Sequence, residues 1–161
     1  MKGVKTVRLA IIGTGRMANG HAARFSAIEG CRLTACCDVV PGRAREFAAK
    51  HGIPASYGSA DEMLKKEQLD GVSIVTQDSA HAAAAYAAIR HGVNVMCEKP
   101  LADNLKDARK MAALAKRKGR ITAVNFSYRN NPATQKAAEL VASGALGRIL
   151  HVEGAYLQSW L

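Results

Sequence analysis

A short turn of small residues between an apolar run and an alanine-rich segment constrains this chain most strongly. The turn reads Gly-Thr-Gly-Arg-Met-Ala from Gly13 to Ala18, and the apolar or small residues Leu9 to Gly13 lead into it. This order is typical of a strand, a tight turn and the start of a helix. The spacing Gly-x-Gly-x-x-Ala is one form of the fingerprint with which such turns bind a dinucleotide.

Each small residue of this turn has a physical role. Gly13 permits the tight turn, Gly15 lacks a Cβ and lets a pyrophosphate approach the backbone, and Ala18 lets the helix pack closely on the strand. The start of the helix offers free N–H groups and a partial positive charge to the phosphates. The alternative is a turn that only packs a helix on a sheet. The strand before it and the helix after it favour the dinucleotide site.

Strand and helix patterns alternate along most of the chain. Strands are predicted at Val7–Ile12, Arg32–Asp38, Ile53–Tyr57, Gly71–Thr76, Val93–Cys97 and Ile121–Phe126. Helices are predicted at Arg16–Ile28, from Pro41 to Gly52, after a capping box at 59–62, at Ser79–His91, and from Asp103 or Asn104 to Gly119. Strands that alternate with helices favour a parallel sheet. We therefore predict an α/β fold, a Rossmann-type parallel sheet with helices on both faces.

The pattern changes after the sixth predicted strand. A helix is predicted at Pro132–Ser143, and a longer strand at Arg148–Gln158, in which Leu150, Val152 and Tyr156 share one face. One helix and one strand cannot form a core alone. We therefore predict a dinucleotide-binding domain over residues 1–124 and the start of an incomplete α+β domain over residues 125–161, which leaves that apolar face uncovered.

Charge raises the question of a nucleic-acid partner. The formal net charge of the 161-residue chain is +10, and basic residues cluster between Lys106 and Arg120. Such a balance can indicate a nucleic-acid-binding protein. However, the cluster contains no aromatic residue and follows the polar side and C-terminal end of one predicted helix, where cations are favourable. A solvated helix face is the favoured interpretation, and we expect no nucleic-acid partner.

Hydropathy and cysteine usage indicate a cytoplasmic protein. No stretch of 18 or more apolar residues occurs, so we expect no membrane partner. The first strand begins within about six residues of the N-terminus, which leaves no room for a signal peptide. The four cysteines lack metal-ligand spacing and are expected to be reduced, buried thiols.

One acid and one base follow the second predicted strand. Asp38 lies 25 positions after Gly13, where an acid of a dinucleotide fold hydrogen-bonds the adenosine ribose and repels a 2′-phosphate. This favours NAD over NADP. Arg43, five residues further on, is suited instead to a phosphate, so NADP remains possible. A plain turn-forming role for Asp38, before Pro41, is the alternative.

Two further polar segments follow predicted strands, at the sheet edge where ligands of parallel sheets lie. Residues 76–81 read Thr-Gln-Asp-Ser-Ala-His, in which His81 is as often a packed or solvated residue as a site residue. Glu98-Lys99-Pro100 follows the fifth strand, and packing explains such a triplet poorly. A partly desolvated lysine beside a cofactor can exchange a proton, although a surface turn is the alternative.

Together these segments carry a resemblance to a known family. The chain resembles the amino-terminal part of the Gfo/Idh/MocA oxidoreductases, which include inositol and sugar dehydrogenases. The matching pieces are the turn from Gly13 to Ala18, Asp38, Thr76 to His81, Glu98-Lys99-Pro100, Asn125 to Arg129 with Pro132, and Ser143 to Ile149.

The resemblance implies a role for each matched residue. Gly13, Thr14, Gly15, Arg16 and Met17 would hold the pyrophosphate of NAD, and Asp38 its adenosine ribose. Thr76, Gln77 and His81 would border the cofactor, and Glu98 would contact the nicotinamide ribose. Lys99 would lie beside the nicotinamide and the reacting carbinol as the catalytic residue, and Arg129 would lie at the seam between domains, near the active site.

The resemblance also implies what a complete enzyme needs. Family members carry a second domain with the substrate pocket and an Asp-x-x-x-His motif, and nothing in this chain matches that motif. We therefore expect the cofactor half of an NAD(P)-dependent sugar or polyol dehydrogenase, which forms a homo-oligomer when complete. A non-catalytic dinucleotide-binding module, or a truncated product, is the alternative.

Overall fold

The computed structural model describes residues 6–157 and residue 159. Its backbone contacts divide the chain into two compact units, Met1–Asn125 and Phe126–Leu161. The first unit contains every strand assigned in the described residues. The two units are considered separately below.

The first unit is built on one six-stranded sheet. Its strands are β1 Val7–Ile12, β2 Cys31–Cys37, β3 Ala55–Tyr57, β4 Gly71–Ile74, β5 Asn94–Cys97 and β6 Thr122–Val124. They pair in the order β3-β2-β1-β4-β5-β6, and every pairing is parallel. The chain reverses its direction across the sheet between β1 and β4, the point at which ligands of open parallel sheets bind. The predicted α/β fold is confirmed.

Helices cover both faces of this sheet. Successive residues of a strand point to opposite faces, so each strand can pack against helices on both sides. The helices are α1 Ala18–Ser26, α2 Arg43–His51, α3 Ala60–Lys66, α4 Asp78–Arg90 and α5 Leu105–Lys118. Ala10 and Ile12 of β1 are buried with residues of α3, α4 and α5 on one face. Ile11, between them, is buried with residues of α1 and α2 on the other face.

Side-chain caps fix the starts of two helices. The Ser59 side chain accepts the Glu62 N–H at the start of α3, as the capping box predicts. The Asn104 side chain accepts the Asp107 N–H, so Asn104, and not Asp103, caps α5. The predicted start of α2 at Pro41 is wrong. Gly42 holds the cap position with φ of 82°, and the helix begins at Arg43.

The second unit contains only helical elements among its described residues. A 3-10 helix at Ser127–Asn130 is followed by α6 at Pro132–Ala142. The strand predicted from Arg148 is wrong: residues 148–157 form no strand, and Gln158 lies outside the described residues. A strand needs a neighbouring strand for its backbone hydrogen bonds, and no strand of this unit offers one among the residues described.

Helix α5 has the solvated basic face that its sequence predicts. The basic residues of α5 are exposed, whereas its apolar face, Met111, Leu114 and Ala115, is buried. Within residues 6–157, no helix has the length and hydropathy needed to cross a membrane.

Candidate functional site: a dinucleotide cavity at the carboxyl ends of the strands

A cavity of about 620 Å³ opens at the carboxyl ends of β1, β2 and β4. Of the predicted site residues, the following line it: Gly13, Gly15, Arg16, Met17, Asp38, Arg43, Thr76 and Gln77. They come from three separate strand ends, which the parallel order β2-β1-β4 brings side by side. The sheet thus gathers most of the predicted site at one edge.

The two glycines of the turn have different surroundings. Gly13 has φ of 89°, and a Cβ there would lie 2.8 Å from the carbonyl oxygen of Val75, so only glycine fits. A Cβ at Gly15 would meet no atom within 4 Å, because this residue faces the open cavity. Gly13 therefore fixes the turn, and Gly15 leaves its backbone accessible.

The backbone after Gly13 is arranged to receive an anion. Within the described residues, the amides of Gly15, Arg16 and Met17 have no protein acceptor. No side chain caps the start of α1, and its first turn carries no acidic residue. Free amides at a helix N-terminus are suited to phosphate oxygens.

Asp38 ties this turn to the end of β2. Its Oδ2 accepts the Thr14 N–H at 2.8 Å and the Thr14 hydroxyl at 2.9 Å, and its Oδ1 accepts the Val40 N–H at 2.9 Å. Burial opposes ionisation, but these three hydrogen bonds and the Arg43 guanidinium, 3.8 Å away, outweigh it and lower the pKa of Asp38. The carboxylate at the cavity wall is therefore ionised and held in place.

Five residues predicted to contact the cofactor are absent from the cavity lining: Thr14, His81, Glu98, Lys99 and Arg129. Thr14 is buried, and its amide and hydroxyl are both directed to Asp38. His81 is 0 % exposed, and its ring nitrogens lie 2.7 Å from the Pro100 carbonyl oxygen and 3.2 Å from that of Thr76. This geometry favours the packed-histidine alternative, because the ring joins the ends of β4 and β5 beneath the surface. Contact of His81 with a cofactor stays a prediction.

Glu98 lies just after β5 in a buried network. Its Oε1 accepts hydrogen bonds from Asn125 Nδ2 at 2.5 Å and His21 Nε2 at 2.9 Å, and its Oε2 accepts the Lys99 N–H at 3.2 Å. Burial raises the pKa of this carboxyl group, but the hydrogen bonds from Asn125, His21 and Lys99 outweigh that effect and lower it. Glu98 is thus an ionised anchor below Lys99.

Lys99 and Arg129 complete the predicted set. Lys99 is exposed, and the peptide bond between Lys99 and Pro100 is cis. Its side-chain nitrogen forms no ion pair with any described residue. Arg129 is an exposed residue of the 3-10 helix in the second unit. Its predicted contact with the cofactor stays a prediction.

Comparison with known proteins identifies the family. The model of the oxidoreductase family with an NAD-binding Rossmann fold, Gfo/Idh/MocA, matches residues 7–126. The chain belongs to this family. The match includes the whole glycine turn, Asp38 and the Glu98-Lys99-Pro100 segment, and the family is an NAD-binding one.

Named relatives of this family act on sugars or polyols. D-apiose dehydrogenase of Paraburkholderia graminis is 35% identical over 144 residues, which cover 89% of this chain and 38% of that protein. The crystal structure of myo-inositol 2-dehydrogenase from Lactobacillus plantarum matches with a TM-score of 0.84 at 29% identity, and covers 91% of this chain and 44% of that one.

A third relative was crystallised with a dinucleotide. An oxidoreductase from Agrobacterium radiobacter, in complex with NAD+, L-tartaric acid and magnesium, matches with a TM-score of 0.85 at 28% identity. The match covers 89% of this chain and 42% of that protein. The chain therefore spans about two fifths of the length of these Gfo/Idh/MocA relatives.

Three residues of the Glu98 network were not predicted as site residues from the sequence. They are His21 on α1, Ser73 on β4 and Asn125 after β6. Asn125 belongs to the segment from Asn125 to Arg129 that carries the family resemblance, but no role was predicted for it. A signal for His21 exists in the sequence: it lies on the apolar stripe of α1, between Ala18 and Ala22, where an ionisable residue needs a partner.

Proposed function

We propose that this protein is the cofactor-binding part of an NAD-dependent dehydrogenase that oxidises a hydroxyl group of a sugar or polyol. The free amides of Gly15, Arg16 and Met17 at the edge of the cavity carry the proposal. They provide an anion site of the kind that a pyrophosphate occupies, next to an ionised carboxylate suited to a ribose. Membership of the Gfo/Idh/MocA family and the sugar and inositol substrates in its relatives' names support this proposal.

Each residue at the cavity has a proposed task. The free amides of Gly15, Arg16 and Met17 bind the pyrophosphate, Gly13 makes the tight turn before them, and Thr14 acts through Asp38. Asp38 accepts the ribose hydroxyls and repels a 2′-phosphate, whereas the nearby Arg43 is the feature that keeps NADP possible. Thr76 and Gln77 border the nicotinamide half from the end of β4.

The residues proposed for the chemical step follow β5. When bound, NAD supplies the acceptor for the hydride that leaves the substrate carbon. Glu98 holds the backbone of Lys99, and the Lys99 amine takes the proton of the substrate hydroxyl as the hydride departs. An exposed lysine without an ion pair among the described residues is free to reach a substrate.

The test of this mechanism uses the protein at its natural length. Sugars and polyols are first screened for one that the parent protein oxidises. With that substrate, we expect Lys99→Ala to lower turnover by about 10²–10⁴-fold, the usual contribution of a placed proton donor or acceptor. NADH affinity should stay nearly unchanged. Lys99→Arg should not restore turnover, because a guanidinium stays charged. Lys106→Ala, at an exposed lysine of α5, is the matched control. Unchanged turnover in Lys99→Ala would reduce this lysine to a cofactor contact.

A titration separates this proposal from its alternatives. NADH, NADPH and a DNA duplex of random sequence are added to the 161-residue chain, and binding is followed by fluorescence. We expect NADH to bind more tightly than NADPH, and the duplex not to bind. The chain alone should show little or no turnover of any polyol. If the natural-length protein binds NADH but oxidises no sugar or polyol, a non-catalytic dinucleotide-binding module is the better description.

Two further properties belong to the proposal. A cytoplasmic location is supported by four free cysteines, of which Cys36, Cys37 and Cys97 are buried. Assembly into a homo-oligomer is supported by the exposed apolar residues Leu150 and Val152.

Burial raises the pKa of all four thiols, so they are poor candidates for redox or nucleophilic chemistry.

A further inference from the structure

His21 is a buried histidine with a partner on each ring nitrogen. Its Nδ1 lies 2.9 Å from the Ser73 hydroxyl oxygen, and its Nε2 lies 2.9 Å from Oε1 of Glu98. The three side chains come from α1, β4 and the segment after β5, and His21 and Glu98 are 77 positions apart in the chain. His21, Ser73 and Glu98 are only 4, 1 and 8 % exposed, so water does not compete for these bonds.

The chemistry of Glu98 determines the direction of one of these hydrogen bonds. A carboxylate only accepts, so His21 Nε2 carries a proton and donates a hydrogen bond to Glu98 Oε1. The second hydrogen bond joins His21 Nδ1 and the Ser73 hydroxyl, each of which can donate or accept. Ser73, His21 and Glu98 thus form one hydrogen-bonded network, and the other oxygen of Glu98 accepts the Lys99 N–H.

The position of His21 indicates what this hydrogen-bonded network does. His21 lies one turn into α1, whose N-terminal end borders the cavity with the free amides. The same helix therefore contacts the proposed pyrophosphate site at one end and the Glu98 carboxylate along its buried face. Asn125 also donates to Oε1 of Glu98, so loss of His21 leaves that oxygen with one of its two donors and removes the contact that joins the carboxylate to α1.

We propose that His21 is a positioning residue for Lys99, acting through Glu98. Together with Asn125, His21 holds Oε1 of Glu98 and so sets the orientation of the carboxylate whose Oε2 accepts the Lys99 N–H. This inference rests on the proposed catalytic role of Lys99. His21 itself does not line the cavity and transfers no proton to the substrate.

Two substitutions of His21 separate positioning from bulk packing. A glutamine places its amide nitrogen near the position of Nε2, whereas an asparagine reaches only the position of Nδ1. In the natural-length protein, we expect His21→Asn to lower kcat by about 10²-fold, the usual cost of a displacement of about 1 Å at a reacting group. We expect His21→Gln to retain most of the parental kcat. NADH affinity should change little in either variant, so the loss should appear in kcat.

Two controls accompany these variants. His91→Asn changes an exposed histidine at the end of α4 and should leave kcat unchanged. Thermal unfolding tests the structural explanation, because both His21 variants are polar and should unfold at similar temperatures. Parental kcat in a folded His21→Asn variant would overturn the inference. So would a folded His21→Gln variant that is as slow as His21→Asn.

An NMR measurement of the Lys99 amide tests the positioning role of His21 without any assay of turnover. In protein labelled with 15N-lysine, the Lys99 amide resonance, assigned by its loss in Lys99→Arg, should shift in His21→Asn and stay near its parental position in His21→Gln. An unmoved resonance in His21→Asn would overturn the inference even if the enzyme is active. If the parent oxidises no polyol, the proposed function fails, and this resonance still decides whether His21 positions Lys99.

Discussion

At the scale of single residues, Gly13 and Gly15 show that two glycines of one motif serve different ends. Gly13 has a positive φ and no room for a Cβ beside Val75 and Thr76. Gly15 has room for a side chain, but that room is the cavity itself. The first glycine is therefore required for the fold, and the second for access of a ligand to the backbone.

This difference predicts opposite outcomes for two substitutions. Gly15→Val should abolish NADH binding, because the side chain occupies the space of the pyrophosphate, and should leave the unfolding temperature near that of the parent. Gly13→Ala should destabilise the fold by about 1–2 kcal/mol or more, the cost of a left-handed conformation in a residue with a Cβ. NADH titration and thermal unfolding of both variants test the pair. Parental NADH affinity in Gly15→Val would contradict the assignment of the turn.

At the scale of secondary-structure elements, Asp38 connects the end of β2 to the turn between β1 and α1. Its two oxygens accept three hydrogen bonds, two from Thr14 and one from Val40. These bonds keep the turn at the carboxyl end of the sheet before any ligand is present. The acid predicted to contact a ribose thus also shapes the loop that faces the phosphates.

The lowered pKa of Asp38 predicts how stability depends on pH. Because the folded pKa is below the unfolded value of about 3.9, the ionised carboxylate stabilises the fold above that value, and this contribution is lost as pH falls towards the folded pKa. Asp38→Asn should therefore lower the free energy of unfolding at pH 7 by about 1–3 kcal/mol, the cost of a buried donor left without its acceptor.

Urea unfolding at pH 7 and below pH 4 measures this effect. The difference between the parent and Asp38→Asn should shrink at the lower pH, because the parental carboxyl group becomes protonated. Asp103→Asn, at an exposed acid before α5, is the control and should change stability by no more than about 0.5 kcal/mol. A difference that grows below pH 4 would contradict the assignment of the Asp38 hydrogen bonds.

At the scale of the whole molecule, the first unit has a large buried core and the second has none among its described residues. No residue of the 3-10 helix or of α6 is buried. Leu150 and Val152 are each 80 % exposed. Contiguous exposed apolar residues favour association with another surface.

The 161-residue chain should therefore associate in solution through residues 148–157. Leu150→Glu combined with Val152→Glu should raise the monomer fraction, because charged side chains disfavour burial of this segment. Sedimentation velocity over a range of concentrations measures the change. Lys136→Glu, on exposed α6, tests whether added negative charge alone has this effect. A parent that is monomeric at all concentrations would contradict the prediction.

Local chemistry made much of the first unit predictable. Alternating apolar and amphipathic stretches predicted all six strands and the intervening helices, because each element carries its own periodicity. The caps at Ser59 and Asn104 were predictable because a cap is a contact over three residues. The start of α2 was not, because Gly42 takes a left-handed conformation that displaces the helix start past Pro41. The strand from Arg148 failed because its pattern was present without a partner strand.

The candidate site divides in the same way. The sequence by itself determined the glycine turn, the acid after β2 and the triplet after β5, since spacing and residue type carry those signals. Only the tertiary structure decided that Thr14 binds Asp38 and that His81 lies below the surface. It also decided that the side chains of Ser73, His21 and Glu98 form one hydrogen-bonded network. These contacts join residues from different strands and helices. Their partners are chosen by the order of the strands and by the packing of α1 across the sheet, which no local pattern encodes.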